Sequence, residues 1–244
     1  MLRVVIPAYN CCAFIGKCLA SVLAQRDADF RCYILDDLST DATFVNAARC
    51  VRGDSRFELI QNRKKFWQVG NYNQIMSRQD VDDEDPVFTL DGDDWLPNDP
   101  QIFARYIARY SNPDTWLTWG NSIMDPPLKG WITGSKPMAD VTKIRQVDWW
   151  IGPPRTWRTF LWRAIKPIDL RWRGDWYIPA SGDRACFCPM LEMSGNSHSV
   201  FVDEINYIYN TVNPISDFRI HQTWQKETAS YVNSLTPYHL LLRG

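Results

Sequence analysis

The sequence has no large excess of either charge and no long apolar run. Its 27 Lys and Arg side chains nearly balance 28 Asp and Glu side chains, which gives a formal net charge of −1. A protein that binds nucleic acid through many phosphates carries a basic excess, so nucleic acid is not the expected partner. No apolar run approaches the roughly 18 residues of a membrane-spanning helix, and the N-terminus lacks a signal-peptide pattern. The sequence therefore predicts a soluble, cytoplasmic protein without a membrane span.

Cysteine pairs at metal-binding spacing are also missing. The seven cysteines are an odd number and include no CxxC pair, which argues against a disulfide scaffold and against a zinc knuckle. The sequence also lacks the patterns GxGxxG, GxxxxGK[ST], GxSxG and HExxH. Sequence support is therefore absent for Rossmann dehydrogenases, P-loop NTPases, α/β-hydrolases and zincins.

Short apolar runs alternate with helical patterns in the first part of the chain. The run from Arg3 to Ile6 stops at Pro7, and the run from Cys32 to Leu35 stops at two aspartates. Apolar residues between them recur at helical spacing, which predicts a helix over residues 13–25. Further helices are predicted at 41–51 and 72–76, and further strands at 57–60 and 87–90. This alternation predicts an α/β fold with a mostly parallel sheet covered by helices on both faces.

The chain length of 244 residues suits one large α/β core with an elaborated C-terminal part. We therefore expect residues 1–244 to form a single domain.

Polar and acidic residues follow three of the predicted strands. They are Pro7 to Asn10, Asp36 with Asp37, and Asp91 to Asp94. In a parallel sheet the ligand lies outside the carboxyl ends of the strands, because the loops converge there. These residues are therefore the candidate binding site.

The segment VFTLDGDDWLP predicts a metal site. An apolar strand ends at Asp91 and Asp93, and residues 79–104 contain nine acidic residues and no Lys or Arg. Two neighbouring carboxylates repel each other unless a cation binds, and hard oxygen ligands favour Mg²⁺ or Mn²⁺. The alternative is an acidic turn whose aspartates cap a helix.

The second half of the chain is richer in basic and tryptophan residues. Ten Lys and Arg side chains lie between Lys129 and Arg173. They are interleaved with Trp131, Trp149, Trp150, Trp157, Trp162 and Trp172. Exposed indoles beside basic groups suit an anionic donor or the apolar face of a sugar, and the alternative is a satellite core.

Several motifs together resemble those of family 2 glycosyltransferases, which have the GT-A fold. They are VVIPAYN, ILDDLSTDAT, the spaced residues Asn62, Gly70 and Asn73, and LDGDDWLP, all within residues 2–98. Further along, RTFLWRAI, SGDRACFCPMLEMSG and INYIYNTVNP resemble the acceptor half of short family members. The resemblance implies an inverting glycosyltransferase with a carbohydrate acceptor and a nucleotide-sugar donor, for which a UDP-sugar is favoured over a GDP-sugar. It also implies that residues 1–244 form one catalytic domain, in which residues 1–98 bind the nucleotide-sugar and residues 99–244 bind the acceptor.

The resemblance also implies roles for the strand-end residues. Pro7, Ala8 and Tyr9 would line the base and ribose of the donor, and Asp37 would accept a hydrogen bond from the base. A competing interpretation is that Asp37 caps the next helix together with Ser39 or Asp41. Asp91 would hold the ribose or a neighbouring hydroxyl, and Asp93 would bind Mn²⁺ or Mg²⁺ on the diphosphate, with Asp94 as a helper.

Asp183 matches the aspartate of the family's ED motif and would be the general base. It is preceded by Gly182 where the family has Glu, so Glu192 stays open as a rival base. The three histidines, His198, His221 and His239, are not expected to bind metal, because none has a ligand partner at recognisable spacing. A phosphatase, a nucleotidyltransferase and an inactive sugar-binding module remain alternatives. A phosphatase of the haloacid dehalogenase type has its DxD after the first strand, whereas here the pair follows the fourth.

Overall fold

The computed structural model describes residues 1–127 and 135–243, apart from the side chains of Asp217 and Phe218. The first half contains β1 (Leu2–Ala8), α1 (Ile15–Leu23), β2 (Phe30–Asp36), α2 (Thr43–Cys50), β3 (Phe57–Gln61), α3 (Trp67–Met76), β4 (Pro86–Thr89) and α4 (Ile102–Arg109). The second half contains β5 (Leu117–Asp125), β6 (Arg155–Arg158), α5 (Thr159–Arg163), β7 (Arg171–Trp172), β8 (Trp176–Tyr177), α6 (Gly182–His198), β9 (Ser199–Asn210), α7 (Asp217–Ile220) and α8 (Gln222–Ser234). Short 3-10 helices occupy Val141–Gln146 and Pro167–Leu170.

Seven strands form the main sheet in the order β3-β2-β1-β4-β6-β5-β9. The first four strands are parallel to one another, and β5 is parallel to β9. Only β6 runs antiparallel to its two neighbours among the described strands. The structure therefore confirms the predicted α/β class and the mostly parallel sheet. The sheet combines strands from both halves of the chain.

Alternation along the buried strands gives the sheet two apolar faces. Val5, Tyr33 and Leu35 belong to one core cluster, which includes residues of α3, α5 and α6. Val4 and Ile34 belong to the other cluster, which includes residues of α1, α2 and α4. Because parallel strands bury both faces, their sequences read as continuous apolar runs.

The observed elements of the first half agree with the predicted order but not with every boundary. Helix α3 begins at Trp67, five residues before the start that its apolar pattern predicts. Its first turn is stabilised by a side chain from a distant part of the chain, as described below. A local pattern does not contain such a contact.

Helix α6 carries the C-terminal half of the core. Residues 182–195 of this helix include Pro189 and are largely buried, and the regular helix is interrupted at Gly195, where φ is +58°. Glycine adopts this region without the steric cost of a Cβ atom. The buried part of α6 therefore ends at this glycine, and the residues after it are more exposed.

All seven cysteines are free thiols, and five of them are buried. Cys12 is half-buried and Cys50 is exposed. Within residues 1–127 and 135–243, the helices are too short or too polar to cross a membrane.

Candidate active site

The ends of β1, β2 and β4 meet at a cavity of about 180 Å³, here called the first cavity. Its lining includes Pro7, Ala8, Tyr9, Asp37, Asp91 and Asp93. The structure thus brings together, in one cavity, all six residues that were predicted from the sequence to bind the donor. The segment after β9 closes the other side of this cavity, with Asn213 and His221 among the lining residues.

Gly92 allows the acidic loop to approach β1 closely. Its backbone N–H donates to the Pro7 carbonyl at 3.0 Å. A Cβ atom on Gly92 would lie 2.9 Å from the Ala8 Cβ atom, so a larger residue would push the two strand ends apart. The glycine of LDGDDWLP therefore sets the position of the aspartates on either side of it.

Asp37 is buried and accepts hydrogen bonds through both carboxylate oxygens. Oδ1 accepts from Asn62 Nδ2 and from the backbone N–H of Phe66, and Oδ2 accepts from the backbone N–H of Trp67, each at 2.8 Å. The Lys65 ammonium lies 3.4 Å from Oδ2. Asp37 therefore caps α3, whose first N–H groups lack partners within the helix. The alternative role suggested by the sequence for Asp37 was capping of the next helix, α2. That alternative is wrong, because the backbone N–H groups that Asp37 accepts from belong to the start of α3.

The three carboxylates of the acidic loop point to different partners. Asp91 Oδ1 accepts from Gln68, and Asp93 Oδ2 accepts from Asn213 at 2.7 Å. Asp94 accepts from the Tyr207 hydroxyl and from the backbone N–H of Asn210. Asp94 therefore joins the loop to β9, and both Asp93 and Asp94 line the first cavity.

Burial governs the charge state of this loop. It raises the pKa of Asp93, because a carboxylate away from water is less stable in its charged form. Burial also raises the pKa of Asp94 well above its usual range, and the neighbouring Asp93 and Asp91 charges add to the shift. A cation beside Asp93 would offset both effects.

A second, larger cavity of about 670 Å³ adjoins the first. Gln68, Asp91 and Tyr209 line both cavities. The rest of its lining comes from β5, from the segment between Ser135 and Arg155, from the start of α6 and from α8. Both cavities draw on residues from both halves of the chain.

Asp183 lies in the second cavity at the start of α6, where the helix dipole favours a negative charge. Its Oδ2 atom accepts from Arg155 Nη2 and from Trp149 Nε1, both at 2.8 Å. A Cβ atom on the preceding Gly182 would lie 2.7 Å from the Gln68 side-chain oxygen and 3.1 Å from Val69 Cγ2. A larger residue at this departure from the family motif would therefore require the end of the Gln68 side chain to move.

Glu192, the rival base, lies in neither cavity. Its side chain is 1% exposed and pairs with Arg145, with 2.5 Å between Oε1 and Arg145 Nε. Oε2 accepts from the backbone N–H of Tyr238. These contacts make Glu192 part of the packing between α6 and the C-terminal segment.

The tryptophans of the basic segment have divided roles. Trp149 and Trp150 line the second cavity, whereas Trp157 and Trp162 are buried in the core. Trp172 packs edge-to-face against Tyr231. Trp131 lies outside the described residues. The core interpretation therefore holds for Trp157 and Trp162, whereas sugar or donor binding by Trp149 and Trp150 stays a prediction.

Several cavity residues were not expected from the sequence. Lys65, Trp67, Gln68 and Asn213 line the first cavity, as does His221, which the sequence left outside the site. His221 is stacked on Trp224 with ring centroids 4.9 Å apart. Local spacing contains no signal for His221, because this residue comes to the first cavity only through the folding of the segment after β9.

Comparisons with known proteins agree with this geometry. An uncharacterized protein of Mycobacterium tuberculosis, MT1568, is 29% identical over 120 residues, which is 49% of this chain and 35% of that protein. Staphylococcus aureus TarS, solved as residues 1–349 with UDP-GlcNAc, superimposes with a TM-score of 0.64 at 17% identity. That match covers 87% of this chain and 59% of TarS 1–349.

A second solved relative is the mannosyltransferase PcManGT from Pyrobaculum calidifontis, in complex with GDP-Man and Mn²⁺. It has a TM-score of 0.62 at 12% identity, over 97% of this chain and 65% of that one. At these identities the likeness is one of fold, and the shared fold is GT-A. The family model for glycosyl transferase family 2 matches residues 3–149. This chain therefore belongs to glycosyl transferase family 2.

Proposed function

We propose that this chain is an inverting, metal-dependent glycosyltransferase. It moves a sugar from a nucleoside-diphosphate sugar to a hydroxyl group of a carbohydrate acceptor. The observation that carries the proposal is the pair of adjoining cavities, one holding Asp93 and the other Asp183, with Asp91 on their shared boundary. A single displacement needs the leaving group and the attacking hydroxyl on opposite sides of one carbon. Two cavities with a common wall provide that arrangement.

The first cavity suits the nucleotide, and its hydrogen-bonding capacity favours uracil. A carboxylate has about four acceptor positions, and the protein fills three of those on Asp37 with donors from Asn62, Phe66 and Trp67. The Lys65 ammonium faces the fourth position, 3.4 Å from Oδ2, and if it moved aside, that position would suit the single N3–H of uracil. Guanine presents two adjacent N–H groups and would need both oxygens. We therefore propose a UDP-sugar as the preferred donor, with a GDP-sugar as the weaker possibility.

A divalent cation fits the first cavity beside Asp93. Among the described residues, no group of three or more His, Cys, Asp or Glu side chains is arranged as a metal site. A Mg²⁺ ion is usually held by one or two carboxylates of the protein and by oxygens of the substrate phosphates, and the buried Asp93 carboxylate in the wall of the first cavity could be such a ligand. Asp93 would hold the ion, which when bound would neutralise charge on the leaving diphosphate.

Asp183 is proposed as the general base. Its carboxylate would take the proton of the acceptor hydroxyl as that oxygen forms the new bond to the anomeric carbon and the bond to the diphosphate breaks. Arg155 and Trp149 hold Oδ2 in place. The indoles of Trp149 and Trp150 offer apolar faces on which an acceptor sugar can stack. We propose that residues 1–244 act as one catalytic domain in the cytoplasm.

The proposal is tested by turnover of a panel of UDP-, GDP- and dTDP-sugars with Mn²⁺ or Mg²⁺ and mixed sugar acceptors. We expect release of the nucleoside diphosphate that depends on the acceptor, and a product whose anomeric configuration by NMR is opposite to that of the donor. Retained configuration would contradict the single displacement.

The same panel separates the other candidates. A phosphatase would release phosphate from simple esters without an acceptor sugar, and a nucleotidyltransferase would consume a nucleoside triphosphate. An inactive binding module would bind a nucleotide-sugar or glycan without consuming it.

A further inference from the structure

Trp67 has a backbone conformation that is unusual for a large side chain. Its φ angle is +59°, in the left-handed region. A bulky residue there is an outlier, and such outliers occur where the surrounding structure holds them in place. The backbone of Trp67 is held by its N–H, which donates to Asp37 Oδ2 at 2.8 Å. Glycine would meet the same backbone requirement without strain, so the presence of tryptophan requires another explanation.

The indole of Trp67 projects into the wall of the first cavity. Its ring packs edge-to-face against Trp224, with centroids 5.6 Å apart, and against His221 at 6.0 Å. The residue is half-buried, so part of the ring remains available to a ligand. The strained position thus places an aromatic surface in the cavity that also contains Asp37.

The Lys65 ammonium marks a position within reach of two rings and a carboxylate. It lies 2.9 Å from the centroid of the Tyr9 ring, 5.2 Å from the centroid of the Trp67 ring and 3.4 Å from Asp37 Oδ2. Aromatic faces attract both cations and stacked bases, and the carboxylate accepts any N–H. A flat group could stack its two faces on the Tyr9 and Trp67 rings and donate an N–H on its edge to the Asp37 carboxylate. A pyrimidine base of the uracil type has that chemistry.

We infer that Trp67 is a base-stacking residue of the donor site and forms a slot with Tyr9. The base would enter where the Lys65 ammonium now lies, with its edge N–H on Asp37. This inference rests on the proposed function, because it assigns a role within the same donor site. It adds that the strain at Trp67 is retained for nucleotide binding rather than for the stability of α3.

The test measures the Kd of UDP and of inorganic pyrophosphate by calorimetry in Mn²⁺, for the intact protein and its variants. Pyrophosphate occupies the diphosphate position without a base. Base stacking on an aromatic ring accounts for about 5- to 150-fold in affinity. We therefore expect Trp67→Ala to weaken the binding of UDP by about that factor and to leave the binding of pyrophosphate unchanged. Trp67→Phe should keep most of the affinity for UDP.

Two further variants separate binding from folding. Trp67→Gly permits the positive φ that alanine tolerates poorly, so it should have a higher Tm than Trp67→Ala and an equally weak affinity for UDP. Trp224→Ala removes a neighbouring ring that does not line the cavity, and it should bind UDP more tightly than Trp67→Ala does. If affinity for UDP instead follows Tm across the four variants, Trp67 has only a structural role and the inference is overturned.

The outcomes also distinguish this inference from the proposed function. Wild-type protein that binds UDP, together with a Trp67→Ala variant that binds it equally well, overturns the role of Trp67 alone. Wild-type protein that binds neither UDP nor GDP overturns both.

Discussion

The guanidinium of Arg155 lies 2.8 Å from Asp183 Oδ2, and the two residues belong to different elements that meet at the second cavity. Arg155 starts β6, within the central sheet, and also donates to the Ile151 carbonyl. Asp183 is in the first turn of α6. The ion pair therefore fixes the orientation of the proposed base relative to the sheet that carries the donor-binding loops.

We expect Arg155→Gln to lower kcat without weakening the binding of the donor. Loss of the guanidinium leaves Trp149 as the remaining side chain that holds Oδ2, and a misplaced base costs up to about 10²-fold in rate. Steady-state kinetics gives kcat, and calorimetry gives the Kd for UDP. Arg173→Gln is the matched control, because Arg173 pairs with Glu227 on the surface. If Arg155→Gln lowers kcat and also raises the Kd for UDP, or changes neither, Arg155 does not position the base.

Substitutions at Asp183 and at Glu192 should affect different properties, namely activity for Asp183 and stability for Glu192. General-base catalysis contributes typically about 10²- to 10⁴-fold, so Asp183→Asn should lose a factor in that range in kcat and retain UDP binding. Glu192→Gln should instead lower the free energy of unfolding by about 3–5 kcal/mol, because it leaves Arg145 buried without its charged partner. Denaturant unfolding measures the second effect.

The reverse pattern would reassign the base. Asp183→Asn with near wild-type turnover, combined with an inactive but stably folded Glu192→Gln variant, is incompatible with Asp183 as the general base. The buried pairing of Glu192 would then have to open during the reaction.

The proposed metal site predicts a thermal shift that depends on the ion. A ligand stabilises the folded state in proportion to RT ln(1 + [L]/Kd), so UDP with Mn²⁺ should raise Tm more than UDP with EDTA. Asp93→Asn should remove that difference. Asp94→Asn should lower Tm without any ligand, because Asp94 bonds to Tyr207 and Asn210, and its remaining UDP shift should still respond to Mn²⁺. Equal shifts for wild type in Mn²⁺ and EDTA would argue against a metal on the diphosphate.

The extent to which the site was predictable depends on how far apart its residues lie in sequence. Asp91 and Asp93 were found from sequence because an apolar run places them at a strand end, and parallel strands collect such ends at one edge. Asp37 was found in the same way. Its role as the cap of α3 was not, because its partners Phe66 and Trp67 lie 29 and 30 residues later.

The segment after β9, which lines the first cavity, was also not predictable from local sequence patterns. Asn213 reaches Asp93 across 120 residues, and no period or motif links the two. The positive φ of Trp67 was equally hidden, because sequence propensity alone would put glycine there. Periodicity predicts elements and their ends, whereas contacts between distant loops depend on the completed sheet.

The final prediction concerns Asp37, which both caps α3 and lines the first cavity. Asp37→Ala leaves the N–H groups of Phe66 and Trp67 without their acceptor. Each unsatisfied buried donor costs about 1–3 kcal/mol, so the free energy of unfolding should fall by at least about 2 kcal/mol. The Kd for UDP should rise as well, by the loss of a hydrogen bond to a charged group, about 1.5–3 kcal/mol.

Asp41→Ala provides the matched control for the binding part of that prediction. Asp41 caps α2 through the backbone N–H of Thr43 and also accepts from the Cys12 N–H, but it does not line the first cavity. Losing a helix cap costs about 0.5–2 kcal/mol, so Asp41→Ala should reduce stability and leave the Kd for UDP unchanged. If Asp37→Ala also leaves UDP binding unchanged once the fraction of folded protein is taken into account, then Asp37 is only a helix cap. Recognition of the base would then fall to the two aromatic rings, and the preference for uracil over guanine should disappear, because stacking does not distinguish one edge of a base from another.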